Sequence, residues 1–169
     1  MPEKDVVERA REDAREGKSP STQAGEFVHE EIEHVKQREH GARSAKQAIA
    51  IGLAKARRAG VDLPPPKSGS EEVRRKAERD YEKGQNPENR APSRKRSRAT
   101  RAALEREGSQ SVSHRALSRQ AHAAARSRTP EDRSQAAEKA VRTKGPDELR
   151  SAGQKAARTR ARNRPGLAH

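Results

Sequence analysis

Six consecutive residues, His29 to His34, bring together two histidines and three glutamates, which are common metal ligands. A metalloprotease helix needs two histidines four residues apart, whereas His29 and His34 are five apart and point about 140° away from each other on a helix. Glu31 and His34 form one Glu-x-x-His pair of the di-iron type, but such sites need a second copy, which the sequence lacks. We interpret this segment as an exposed acidic helix face and predict no metal site.

No other group of residues resembles a catalytic site. The chain has no cysteine, which excludes a thiolate nucleophile, a disulfide and a cysteine-based zinc site. It contains no recognisable Ser/His/Asp set and no glycine-rich phosphate loop. Charged residues make up 38% of the sequence and aromatic residues 1%, so little apolar surface is available to hold a site rigidly. We predict a protein that is not an enzyme and that uses no cofactor and no small-molecule substrate.

Charge is distributed unevenly along the chain. Residues 1–64 contain 12 basic and 12 acidic residues, whereas residues 65–169 contain 27 basic and 13 acidic residues and carry the whole net charge of +14. A basic segment attached to a neutral one is typical of proteins that bind nucleic acid. Because no aromatic residue follows Tyr81, stacking on single-stranded bases is disfavoured, and contacts to the phosphates of double-stranded DNA are favoured.

The side chains that we predict to contact phosphate are arginines and lysines of the C-terminal half. They are Arg94, Lys95, Arg96, Arg98, Arg101, Arg126, Arg128, Lys139, Arg142, Lys144, Lys155, Arg158, Arg160 and Arg162. A possible secondary set lies in residues 45–58, which could form the recognition helix of a helix-turn-helix. That set is Lys46, Lys55, Arg57 and Arg58, and these side chains are equally compatible with a solvated helix face.

A helical hairpin is predicted between residues 19 and 60. Its first helix runs from Ser19-Pro20 to about Arg38 and is broken by Gly41. Its second helix begins after the capping residue Ser44 and ends at Gly60, where glycine favours the left-handed conformation. The large apolar side chains whose spacing allows the two helices to face each other form the predicted core: Phe27, Ile32, Ile49 and Leu53.

The predicted fold class is all-α, in three parts. Residues 1–63 form an N-terminal helical domain, which includes the hairpin and an amphipathic helix from Glu3 to Glu16. Residues 64–92 form a proline-rich linker with one exposed helix, Glu71 to Lys83, which Gly84 stops. Residues 93–169 form a basic Ala/Arg/Lys-rich tail, which we expect to be partly helical or disordered.

The tail contains a repeat of 16 residues, in which Thr129–Lys144 matches Gly145–Arg160. Each unit begins with a proline and two acidic residues and ends with basic residues, so that it complements the helix dipole at both ends. The units have almost no apolar face, and sixteen residues are marginal for an isolated helix. We therefore expect only part of the tail to be helical before it meets a polyanion.

The sequence Lys46-Gln-Ala-Ile-Ala-Ile51, followed by Ala56-Arg-Arg-Ala-Gly60, resembles a small bacterial domain family of unknown function. The resemblance extends over residues 19–60, roughly a quarter of the chain. Basic tails similar to this one are often attached to that domain. The resemblance implies a bacterial or phage origin and supplies no catalytic residues.

We predict non-enzymatic, largely sequence-independent binding of double-stranded DNA by a nucleoid-associated or DNA-condensing accessory protein. Two alternatives stay open: a hydrophilic stress-protective protein without a specific partner, and an RNA-binding or ribosome-binding protein, which charge alone does not separate from a DNA-binding one. No apolar run reaches membrane-spanning length, and the N-terminus lacks an apolar signal segment. We therefore expect a cytoplasmic protein with no membrane partner.

Overall fold

The computed structural model describes residues 3–67, 69–86 and 93–162. These residues form no strand, which confirms the all-α class. The chain divides into two compact units, Met1–Ala121 and His122–His169. The helices are α1 (Lys4–Arg15), α2 (Pro20–Lys36), α3 (Ala45–Arg58), α4 (Glu71–Gln85), α5 (Arg94–Glu105), α6 (His114–Arg126) and α7 (Pro130–Arg162), with a 3-10 turn at Gln110–Val112.

Both ends of α3 are set by local hydrogen bonds, as predicted. The Ser44 hydroxyl accepts a hydrogen bond from the Gln47 backbone N–H at 3.2 Å, and the Gln47 side chain accepts one from the backbone just before the cap. At the other end Gly60 has a φ of 93°, and the Val61 N–H donates to the Ala56 carbonyl at 3.1 Å. This is a Schellman motif, which turns the chain sharply out of the helix.

Helices α1, α2 and α3 pack around a first apolar cluster. Phe27 of α2 is completely buried in it, together with Val6 of α1 and Ala56 of α3. Leu53 packs against this cluster with part of its side chain exposed. The prediction that Phe27 and Leu53 belong to the core is therefore confirmed.

The buried line of α3 consists of small residues. Ala48, Gly52 and Ala56 follow one another at intervals of four and face α2, whereas the predicted core residue Ile49 stays partly exposed outside the apolar clusters. A Cβ atom added at Gly52 would lie 2.7 Å from the Cα of Val28. The two helices approach so closely that large side chains fit only at the edges of the contact.

Helix α2 ends earlier than predicted, and Gly41 is not the residue that breaks it. The helix stops at Lys36, and Arg38 takes up the left-handed conformation with a φ of 62°. Gly41 instead lies against the backbone of residues 104–108, where its N–H donates to the Leu104 carbonyl at 2.8 Å. A Cβ atom added at Gly41 would collide with the Glu107 carbonyl, so glycine is required here for a close approach of two chain segments.

A segment that was assigned to the tail completes the core of the first unit. Val112, in the 3-10 turn, is 1% exposed and forms a second apolar cluster with Val35, Ala42 and Ala48. The predicted core residue Ile32 packs against this second cluster with partial exposure. Residues 104–112 are therefore packed against the hairpin and do not extend away from it.

Helix α4, predicted to be solvent-exposed, packs against α3. Its residues Ala77 and Asp80 are buried, and Asp80 accepts a hydrogen bond from Arg58 Nε at 2.7 Å. The predicted stop at Gly84 is wrong, since α4 continues to Gln85. A Cβ atom at Gly84 would collide with the Arg57 carbonyl, so this glycine also marks a close approach. The rest of the predicted linker, residues 87–92, lies outside the described residues.

The description of the tail as partly helical or disordered is corrected by the structure, because α5, α6 and α7 make up most of residues 93–162. At the start of α7, Thr129 and Asp132 form a reciprocal capping box with two hydrogen bonds of 3.1 Å. The helix is interrupted at Gly145, with φ 69° and ψ 168°, directly before Pro146. This interruption coincides with the boundary between the two 16-residue repeats. The end of the predicted tail, residues 163–169, is not among the described residues.

Within the described ranges, every helix is too short or too polar to cross a lipid bilayer.

Candidate functional site

All the tail residues that we predicted to contact phosphate have exposed side chains. Each of the fourteen residues, from Arg94 to Arg162, belongs to the exposed class. The described part of α5 and of α7 has no fully buried residue. Basic side chains in these helices therefore project into solvent.

Helix α5 concentrates its basic residues. It contains five of them and one acidic residue, and Arg94, Arg98 and Arg101 share one face because they are four and three residues apart. Arg101 Nε lies 2.9 Å from Glu105 Oε1, which partly neutralises the C-terminal end of that face. The face extends about 10 Å along the helix, at a rise of about 1.5 Å per residue.

Helix α7 distributes its charges more evenly. Lys155, Arg158 and Arg162 share a face in the C-terminal half of α7, whereas Arg160 points to the opposite side. Acidic residues of the first turn of each repeat stay close to the repeat's N-terminus, where Asp147 Oδ1 lies 3.4 Å from Arg150 Nη1. The structure therefore does not gather the basic residues of α7 into one stripe.

Three members of the possible secondary set in α3 have partners inside the protein. Lys55 lies between two glutamates of α2, and Arg58 pairs with the buried Asp80 at 2.6 Å. Arg57 is 7% exposed and donates to the backbone carbonyls of Leu63 and Pro64 at 3.0 and 3.4 Å. Lys46 is also exposed, and it forms no ion pair with any described residue. These contacts hold α2, the proline segment and α4 against α3.

A buried polar cluster lies between α2 and α3. Glu31 is completely buried and Glu30 is 5% exposed, and the ammonium of Lys55 lies 2.8 Å from Glu31 Oε2 and 3.2 Å from Glu30 Oε2. Burial lowers the pKa of Lys55, but its ion pairs with Glu31 and Glu30 outweigh this and hold the pKa above its usual value. The Glu30 Oε1 atom also accepts a hydrogen bond from the Glu3 N–H at 2.7 Å.

Two histidines complete this cluster. His40 Nε2 lies 3.6 Å from Glu31 Oε1, and His34 Nε2 lies 3.6 Å from Glu3 Oε1 and 3.8 Å from Glu39 Oε2. The two imidazole rings meet edge to face with their centres 6.0 Å apart. One ligand atom each from Glu31, His34 and His40 lie within 4.8 Å of one another.

The prediction of an exposed acidic face at His29–His34 is wrong for its central residues. Glu30 and Glu31 face α3 because Lys55 compensates their charge, whereas His29 is exposed. His40 was missed because it lies beyond the helix, in the connection to α3. The Glu31-x-x-His34 spacing is the signal that the sequence offers for this cluster.

A model of a family of unknown function, DUF6496, matches residues 21–67. The match supports the resemblance of the hairpin to a domain of unknown function. The matched residues contain most of the polar cluster, including Glu31, His34, His40 and Lys55, whereas the basic helices α5 and α7 lie outside them. No curated protein and no solved structure matches the chain.

Proposed function

We propose that this protein binds nucleic acid without strong sequence preference, with double-stranded DNA as its main partner and with α5 and α7 as its binding surfaces. It does so without catalysis, as a DNA-condensing accessory. In the bacterial or phage setting that the residue 46–60 motif suggests, it would be found in the cytoplasm on the nucleoid.

The exposure of the tail cations is the observation that carries this proposal. The side chains of Arg94, Lys95, Arg96 and Arg98 are exposed, and no acidic residue precedes Glu105 in their helix. Solvated cations on a helix release counterions from DNA when they contact phosphates, and this release provides affinity that does not depend on sequence. The nearly neutral hairpin, in contrast, uses three of its four α3 cations for internal contacts.

The absence of aromatic residues after Tyr81 supports a phosphate-directed mode. Single-strand-binding proteins stack bases on aromatic side chains, and sequence readers carry side chains that reach base edges from a positioned helix. Arginine and lysine on the faces of α5 and α7 contact the backbone instead, and such contacts position a protein without reading the base sequence.

The test is a salt titration with the full-length protein. We expect the triple variant Arg94→Gln/Arg98→Gln/Arg101→Gln to reduce the steepness of the slope of log affinity against log salt by up to about 2.7. Each lost phosphate contact removes about 0.9 from that slope. Binding to two unrelated duplexes is measured by fluorescence anisotropy between about 50 and 200 mM salt, where six to ten contacts change affinity by about 10³–10⁵-fold.

Helix α1 offers a matched control. Lys4, Arg11 and Arg15 are exposed and share one face of α1 with the same helical periodicity, but acidic residues surround them. The variant Lys4→Gln/Arg11→Gln/Arg15→Gln removes the same charge and should leave the slope unchanged. Equal effects of the two triple variants would show that net charge alone, and not the α5 face, governs binding.

The same titration separates the alternatives. A protein that only protects against stress shows no saturable binding near physiological salt. An RNA-binding or ribosome-binding protein prefers a duplex RNA of the same length over DNA at every salt concentration. A strong preference for one of the two DNA sequences that persists at high salt would contradict the proposal and favour a sequence-specific reader.

A further inference from the structure

The carboxylate of Glu31 has a charged partner at one oxygen and no hydrogen bond. Glu31 is completely buried, and its Oε2 atom forms an ion pair with the Lys55 ammonium at 2.8 Å. Its Oε1 atom, like Oε2, has no hydrogen-bond donor among the described residues, although a buried carboxylate oxygen without a partner is costly. The neighbouring Glu30 differs, because one of its oxygens accepts from the Glu3 N–H and the other faces Lys55.

The imidazole of His40 faces this unsatisfied oxygen. His40 Nδ1 lies 3.2 Å from the Gly41 carbonyl, which can only accept, so Nδ1 is the donor. In the neutral imidazole Nε2 then carries a lone pair, and it lies 3.6 Å from Glu31 Oε1. Two acceptors that face each other at this distance repel unless a proton or a metal ion lies between them.

The distance also fits an ion. A tetrahedral Zn²⁺ site with bonds of about 2.0–2.1 Å to nitrogen and oxygen holds its ligand atoms about 3.4 Å apart. The hydrogen bond from His40 Nδ1 to Gly41 is the type of outer contact that fixes a metal-binding histidine in the required tautomer. His34 provides the third ligand atom within 4.8 Å of the other two.

We propose that Glu31, His34 and His40 form a binding site for a divalent transition-metal ion such as Zn²⁺. Two imidazoles and one carboxylate oxygen are ligands that suit Zn²⁺, Co²⁺ or Ni²⁺ better than Mg²⁺ or Ca²⁺. The fourth position is open to water or to Glu39, whose Oε2 atom lies 3.8 Å from His34 Nε2. The histidine side chains are 13% and 16% exposed, which gives an ion a path from solvent.

Charge balance is consistent with this site. Glu30 and Glu31 are two buried carboxylates, and the single positive charge of Lys55 compensates one of their two negative charges. With neutral histidines the cluster keeps one negative charge, which favours a cation over an anion. Because Lys55 occupies Oε2, the metal would bind Glu31 through Oε1 alone.

Metal binding by the full-length protein without a polyhistidine tag tests the proposal. Isothermal titration with Zn²⁺, and visible absorption with Co²⁺ as a probe of tetrahedral coordination, should show one site. We expect Glu31→Gln, His34→Gln and His40→Gln each to weaken that site at least about tenfold, as is usual when a ligand or its support is lost. His29→Gln removes an exposed histidine of the same helix and should leave affinity unchanged.

Two results would overturn the proposal: a wild-type protein that binds Zn²⁺ no better than the His34→Gln/His40→Gln double variant, or an equal loss on His29→Gln. A measurement on the wild type alone covers the case in which a variant fails to fold. In nitrogen NMR spectra the side-chain resonances of His34 and His40 should shift on addition of Zn²⁺, while those of His29 stay in place. If the His34 and His40 resonances do not respond to Zn²⁺, the site does not exist.

Discussion

Helices α3 and α5 are both short and basic, yet their basic side chains have opposite surroundings. In α3, Lys55 and Arg58 contact acidic residues of α2 and α4, and Arg57 donates to backbone carbonyls. In α5, residues 94–98 have exposed side chains, and no acidic residue precedes Glu105 in the helix. The difference shows that a basic side chain is free to bind an external partner only when no acidic residue or backbone carbonyl of the protein already contacts it. Composition and net charge do not contain this information.

The largest effect should come from the apolar core of the first unit, since the described part of α7 has no buried residue. Phe27→Ala should lower the free energy of unfolding of the first unit by about 3–5 kcal/mol, because the side chain is completely buried. Val141→Ala in α7, where valine is 57% exposed, should change stability by less than about 0.5 kcal/mol. Urea unfolding, followed by hydrogen exchange of each helix, measures the loss of stability in both variants. Similar losses for Phe27→Ala and Val141→Ala would contradict the distinction between the packed first unit and α7.

Removal of the ammonium of Lys55 should have the next largest effect. Lys55→Met leaves two buried carboxylates without their cation and should cost about 3 kcal/mol of stability. Lys46→Met changes an exposed lysine of the same helix and should cost less than about 0.5 kcal/mol. Thermal and urea unfolding of both variants provide the comparison. Equal costs would mean that Lys55 is no more engaged than a solvated lysine.

The contribution of Lys55 should also depend on pH in a defined direction. Its pKa in the folded protein is raised above the usual 10.5, since the pairing with Glu31 and Glu30 outweighs burial. A group whose pKa rises on folding stabilises the protein fully below its unfolded pKa and loses this effect as pH rises through its folded pKa. The stability difference between wild type and Lys55→Met should therefore persist from neutral pH up to about pH 10.5 and shrink above it.

Two glycines test whether close packing is confined to the first unit. Gly84→Ala should cost about 1–3 kcal/mol, because the added methyl group meets the Arg57 carbonyl and pushes α4 away from α3. Gly153→Ala in α7 meets no atom within 4 Å and should increase helix stability by about 0.5–1 kcal/mol. Circular dichroism during thermal unfolding compares the two variants. A stabilising Gly84→Ala would show that α4 does not depend on this contact.

The smallest effect concerns the end of α2. Arg38 has a φ of 62°, a conformation that costs a residue with a side chain about 1–2 kcal/mol. Arg38→Gly should therefore stabilise the first unit by about 0.5–1 kcal/mol after the entropy of glycine is counted. Gln37→Gly, at a right-handed position next to it, should destabilise instead. If both variants shift the midpoint of unfolding in the same direction, the left-handed turn is not present in solution.

Several local signals in the sequence predicted the structure correctly. The Ser44 cap, the Gly60 turn and the burial of Phe27 all follow from neighbours in the chain or from helical periodicity. The capping of α7 at Thr129 also follows from its own first turn. Because such features depend on residues within about one turn, a single sequence contains the information they need.

Features that depend on distant partners could not be predicted. Gly41 and Gly84 were interpreted as helix breakers, although both are required by backbone from another segment. Glu31 was interpreted as exposed because its cation, Lys55, lies on a different helix. Val112 was too isolated among polar residues to be assigned to a core. In each case the cause is a contact between segments, which hydrophobic periodicity does not encode.

The packing of Val112 has a consequence for the transfer of the family segment, residues 21–67, between genes. Residues 21–67, the segment that matches the family model, do not contain Val112, α1 or α4. A gene fusion that transferred only this segment would leave Val35, Ala42 and Ala48 without their cover and would deprive Phe27 of Val6. In this chain the recognisable segment therefore packs against residues on both of its sides, and a recombination that moved it alone would expose these apolar contacts to water.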